Sequence, residues 1–174
     1  RWPVDIEFTV DIESGQPHAT YTLNLLQCRP QVSRKQQQSV EVPMDIPDSD
    51  VLLKATELVT PGTLSGIRFI VYVDPEKYHE APTYAPRYHI ARIIGRLNEV
   101  MAGESFILVG PGRWGSSDID LGVKVTYADI DNAKALVELP LPGASGAEPS
   151  YGTHFFQDLV EAGIHPLPVT PGKR

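Results

Sequence analysis

The chain has 174 residues, 41% hydrophobic and 21% charged, the make-up of a globular protein long enough for one domain, or for one domain and a piece of another. A formal net charge of −7 works against a general nucleic-acid footprint, and no apolar run approaches the roughly 18 residues of a membrane helix, so a soluble chain that binds neither nucleic acid nor membrane is expected. The single cysteine, Cys28, excludes an internal disulfide and a multi-cysteine zinc site.

Arg1-Trp2-Pro3 leads straight into a strand pattern with no initiator methionine, so a piece of a longer protein is expected. Nothing there resembles a signal peptide, which makes a cytoplasmic location the default expectation. Residues 4–12 alternate, with Val4, Ile6, Phe8 and Val10 on one face and Asp5, Glu7, Thr9 and Asp11 on the other. Glu13-Ser14-Gly15-Gln16-Pro17 is turn chemistry, and residues 21–29 read as a second strand, completing a β-hairpin. Cys28 lies in an apolar run and is expected to be a buried, inert thiol. A turn centred near Pro17 sets Glu7 opposite Gln27 and Asp5 opposite Arg29, so that all four polar residues share one face. Such a face is either a ligand site or simply solvated.

Residues 31–49, with three consecutive glutamines, two prolines and no periodicity, suit a linker. The chain therefore divides into a hairpin, residues 1–30, a linker, residues 31–49, and a second domain, residues 50–174. In that domain residues 51–59 and 67–73 read as strands joined by Thr60-Pro61-Gly62-Thr63-Leu64-Ser65-Gly66, a second hairpin. Ile90, Ile93, Ile94, Leu97, Val100 and Met101 recur at helical spacing opposite Arg92, Arg96 and Glu99, predicting a helix over 88–102 stopped by Gly103. A strand over 105–109 runs into Gly110-Pro111-Gly112-Arg113-Trp114-Gly115-Ser116-Ser117. A further strand over 133–139, a helix over 153–162 stopped by Gly163 and a strand over 167–169 complete an α/β fold.

The glycines after the 105–109 strand would let backbone N–H groups approach an anion, with Arg113 adding charge, but the lysine and spacing of a P-loop are missing. A tight turn with Trp114 as core is the alternative. His18, His79, His89 and His165 lack zinc-site spacing, and Tyr72, Tyr78, Tyr84 and Tyr88 read as packing and loop residues rather than as a nucleic-acid platform.

Asp5-Ile6-Glu7-Phe8, followed by Leu25-Leu26-Gln27-Cys28-Arg29-Pro30, resembles the end of the ATP-grasp-like domain of phosphoenolpyruvate synthase and pyruvate phosphate dikinase. The resemblance implies that Glu7 and Gln27 face ATP or its Mg²⁺ and that Arg29 contacts phosphate. A carboxylate and an amide oxygen are hard ligands for Mg²⁺, and a guanidinium grips phosphate as a fork. The glycine-rich loop and lysine of such a site would belong to an upstream ATP-grasp domain of the same chain.

Gly152-Thr153-His154, with Gly163-Ile164 beyond the helix, resembles the phosphorylatable-histidine stretch of the swivelling β/β/α domain that follows in those enzymes. Thr60-Pro61-Gly62 with Ser65-Gly66 resembles that domain's opening, and Phe106-Ile107-Leu108-Val109 resembles one of its strands. His154 would carry phosphate at a helix N-terminus capped by Thr153, Arg113 would steady it, and a small acceptor such as pyruvate would receive it. The family's Ala-Ala after the histidine is replaced by Phe155-Phe156, and its double glycine by Tyr151-Gly152, so bulky rings stand where partner sites would approach. The alternative is a structural or regulatory module without phosphocarrier chemistry. Residues 112–118 and 152–157 also resemble a group of long bacterial proteins known by a pyruvate- and phosphoenolpyruvate-binding domain. The isolated piece is expected to be inactive, and its hairpin edge open to dimerisation.

Overall fold

The computed structural model describes residues 4–15, 18–30, 45–53, 63–143, 150 and 153–169, without the side chains of Val4, Asp5, Arg29 and Pro30. The chain separates into two compact units, Arg1–Gln38 and Ser39–Arg174.

The first unit is an antiparallel hairpin of β1 (Val4–Glu13) and β2 (Thr20–Pro30). Glu7 pairs with Gln27 and Asp5 with Arg29, the register the sequence predicts. Between Glu7 and Phe8 the register shifts, and Leu26 is left as the extra residue of a bulge. The shift has a purpose in side-chain terms. Without it Leu25, Leu23 and Tyr21 would join the polar face; with it they stand opposite Phe8, Val10 and Ile12. Asn24, moved to the polar face, donates to Asp11 at 2.7 Å. The apolar face is open, from Val10 at 43% to Tyr21 at 68% accessible. Cys28, expected to be buried, is therefore exposed, because it stands opposite Ile6 on that same open face.

The second unit is a four-stranded sheet, ordered β3 (Phe69–Tyr72), β4 (Phe106–Pro111), β5 (Ala135–Leu139) and β6 (His165–Pro168), parallel throughout. The expected second hairpin is corrected here: β3 pairs in parallel with β4, and Val51–Leu53 form no strand, while residues 54–62 lie outside the described part. Parallel pairing requires a crossover. It is supplied by α1 (Pro75–His79) and α2 (Tyr84–Val100). Asp74 caps α1 by accepting from the Glu76 and Lys77 N–H groups, and Pro75 takes the first helical position, where no N–H is needed.

No helix joins β4 to β5; residues 112–134 make that crossover with a single 3₁₀ turn, Tyr127–Asp129. The last crossover is α3 (His154–Ala162), capped by Thr153 through the Phe156 N–H and ended by Gly163 in the left-handed region. One core joins these crossovers to one face of the sheet: Tyr78, Ile94, Trp114, Val123, Val125, Ile130 and Leu159 pack with Phe106, Leu108 and Leu136. On the other face Ile70 and Tyr72 of β3 are exposed. Among the described residues no helix is long and apolar enough to cross a membrane.

Candidate functional site

In a parallel sheet all carboxyl ends lie along one edge, and ligands usually bind where neighbouring crossovers diverge to opposite faces. Here the strands follow one another in sequence order and their connections share a core on one face, so that crevice is absent. Any chemistry at this edge has to come from the loops after the strands.

The loop after β4 is a folded excursion. Gly112 bridges Gly122, the Arg113 N–H donates to the Leu121 carbonyl at 2.7 Å, and the Gly115 N–H donates to the Val123 carbonyl at 3.0 Å. Trp114 turns back under the loop and is wholly buried. It lies across Gly110 so closely that a Cβ there would come within 2.6 Å of Trp114 Cζ2. Gly110 is the β4 neighbour of Glu138.

Glu138 is the least expected residue of the edge, a carboxylate only 1% accessible inside an apolar strand. Its Oε1 accepts from the Trp114 N–H and its Oε2 from the Ser150 N–H, both at 3.0 Å. It thereby fastens the Gly112–Ser117 loop to the segment leading into α3. Burial pushes its carboxyl above the ordinary value, against the lowering effect of Ser150, the Trp114 N–H and the Arg113 charge. Trp114 Nε1 is buried without a hydrogen-bond partner among the described residues.

A second clamp holds the far end of the loop. The Tyr78 hydroxyl donates to the Ile119 and Gly122 carbonyls at 3.1 and 2.7 Å. The buried Arg87 donates to the Tyr78 and His79 carbonyls and pairs with Asp120, which also accepts from the Tyr84 hydroxyl. Burial, partly offset by the Arg87 charge, pushes the Tyr78 phenol up to about 12.

Between this loop and α2 lies a cleft of about 410 Å³, lined by Tyr88, Ala91 and Arg92 on one side and by Gly115–Ser117 and residues 124–126 and 129 on the other. Sequence reasoning did not find it, because its lining comes from three separated stretches with no common spacing.

Of the residues singled out in the sequence, His154 is the exposed first residue of α3, and Phe155 beside it turns inward against the core and onto Gly115. Phe155 is thus partly buried, its ring engaged in packing. Arg113 is half-buried, close enough to Glu138 to influence its carboxyl. Glu7 and Gln27 are exposed partners across the hairpin, and Arg29 is placed by register alone, opposite Asp5. The hairpin and the sheet edge belong to different units. Among the described residues no group of His, Cys, Asp and Glu is arranged to hold a metal ion. Comparison with family models, curated proteins and solved structures gave no match.

Proposed function

We propose that this chain belongs to an ATP-dependent phosphotransferase of the phosphoenolpyruvate synthase kind, with His154 carrying phosphate to a small acceptor such as pyruvate. One observation carries the reading: His154 stands exposed at the capped N-terminus of α3, on a segment that Glu138 ties to the glycine-rich loop bearing Arg113. N–H groups at a helix start favour the charge a phosphoryl group would bring. In this reading residues 50–174 are a swivelling-type domain and the hairpin is the end of an ATP-grasp domain. Glu7 and Gln27 would serve ATP and Mg²⁺, with Arg29 on phosphate. The open apolar face of β1 and β2 would be covered by the upstream part of that domain.

A second reading, a structural or regulatory module without phosphocarrier chemistry, is favoured by a different observation. Glu138, Trp114 and Phe155, which flank the motif residues, are all committed to packing or backbone hydrogen bonds. Incubating the full-length parent with β- and γ-labelled ATP and Mg²⁺ separates the two. Acid-labile, base-stable label that disappears in His154→Ala supports the carrier; no label, or label that persists in the variant, supports the module.

A further inference from the structure

We infer that the cleft between α2 and the Gly112–Ser117 loop is a binding site for a small organic phosphate monoester. The site needs neither ATP nor His154. Two exposed cations line it, Arg92 and Lys124, and among the described residues neither has a carboxylate partner. Each has a neighbour that restricts it, Tyr88 of the lining for Lys124 and His89, one helical turn back on α2, for Arg92. Arg92 Nη2 lies 3.2 Å from His89 Nδ1, and Lys124 Nζ stands 5.7 Å from the centre of the Tyr88 ring, a cation–π distance.

The facing loop supplies donors. Gly115 is in the left-handed region at φ 73°, and after it the Ser116 and Ser117 N–H groups have no acceptor among the described residues. The Ser116 hydroxyl accepts from the Asp118 N–H at 3.1 Å, so its own proton remains for a ligand. Consecutive free N–H groups beside a left-handed residue form a cradle for an anion.

The one carboxylate in the lining, Asp129, is engaged by its own loop. Its Oδ2 accepts from the Thr126 N–H and hydroxyl, both at 2.7 Å, and its Oδ1 is turned to Gly95 of α2, where a Cβ would come within 2.8 Å of it. Arginine, a lysine, serine hydroxyls and backbone N–H groups together suit phosphate oxygens, with the guanidinium taking two of them. Ala91 and Val125, both packed against the core, give the cleft an apolar floor for the ester's organic part. A volume of about 410 Å³ exceeds what a bare phosphate needs and falls in the usual range for small-molecule sites.

The test is a titration of the 174-residue chain with phenyl phosphate, inorganic phosphate and phenol, followed by amide NMR and without ATP. Phenyl phosphate is expected to saturate at roughly millimolar Kd or tighter and to shift the Ser116, Ser117 and Lys124 amides. It should bind more tightly than inorganic phosphate, and phenol should not bind. Arg92→Ala and Lys124→Ala, both at exposed positions where folding is not at stake, should each weaken it by about tenfold. No saturation by about 10 mM, shifts elsewhere on the chain, equal binding of phenol or inorganic phosphate, or unchanged affinity in both variants would overturn the assignment.

Discussion

Replacing Glu138 with leucine tests the view that this buried carboxylate fastens two loops. The side chain keeps about the same bulk, so what changes is polarity. The Trp114 and Ser150 N–H groups, each 3.0 Å from a Glu138 oxygen, lose their acceptor in a place water does not reach. An orphaned buried donor costs about 1–3 kcal/mol, so the gross loss is about 2–6 kcal/mol. Part is recovered because a desolvated charge is removed at the same time, which leaves about 2–4 kcal/mol. All three α-helices described belong to the α/β unit, so ellipticity at 222 nm reports that unit's unfolding. With an ordinary urea dependence, the midpoint should fall by about 1–2 M. Glu138→Gln keeps one acceptor oxygen and should fall between wild type and Glu138→Leu. A leucine variant whose midpoint stays within about 0.2 M of wild type would refute the fastening role.

Gly115→Ala combines a left-handed backbone at φ 73° with a Cβ only 2.6 Å from Phe155 Cδ2, so a loss of about 2–4 kcal/mol is expected in the same urea assay. In a Phe155→Ala background the steric part should vanish and the added cost of Gly115→Ala fall to about 1–2 kcal/mol. Tyr78→Phe removes the hydroxyl that holds the Ile119 and Gly122 carbonyls and should cost about 1–2 kcal/mol. The raised Tyr78 pKa makes its contribution complete below pH 10 and lost as pH rises towards 12, a loss absent in Tyr78→Phe. Glu138 has the same sign at lower pH: its raised carboxyl contributes fully below about pH 4.5, and that contribution is lost as pH rises through its folded value. Urea midpoints measured from pH 4.5 towards neutrality should therefore decline less in Glu138→Gln than in wild type.

The parts of the fold that could be read in advance are those whose signal is local. α2 shows through the spacing of Ile90, Ile94 and Leu97, and β4 through an apolar run ended by glycine and proline. The hairpin register followed from alternation and a turn, although the bulge at Leu26 did not, because it shows only as two leucines in a row where alternation asks for one. α1 was missed for lack of length: five residues carry no periodicity, and the Asp74-Pro75 pair was its only announcement. The expected pairing of β3 failed for a different reason. Strand propensity says that a segment is extended but not which neighbour it will meet, and β3 meets β4 across 33 intervening residues from Val73 to Ser105.

The site was legible in its pieces and not in their assembly. Both short motifs, Gly110–Ser117 and Thr153–Phe155, were visible, and the structure brings them together through two contacts that neither motif shows by itself. One is Glu138, conspicuous only as a lone charge in an apolar strand; the other is Phe155 on Gly115. Gly115 then links the two proposals physically. It lines the cleft, and it is the surface against which the residue after His154 packs. A ligand seated between Arg92 and Ser116 presses on the same loop that positions α3. Phenyl phosphate should therefore shift the Phe155 ring resonances as well as the cleft amides, even with His154 unmodified. If Phe155 stays unchanged while Ser116 responds, the cleft and the α3 terminus are separate devices that share only a scaffold.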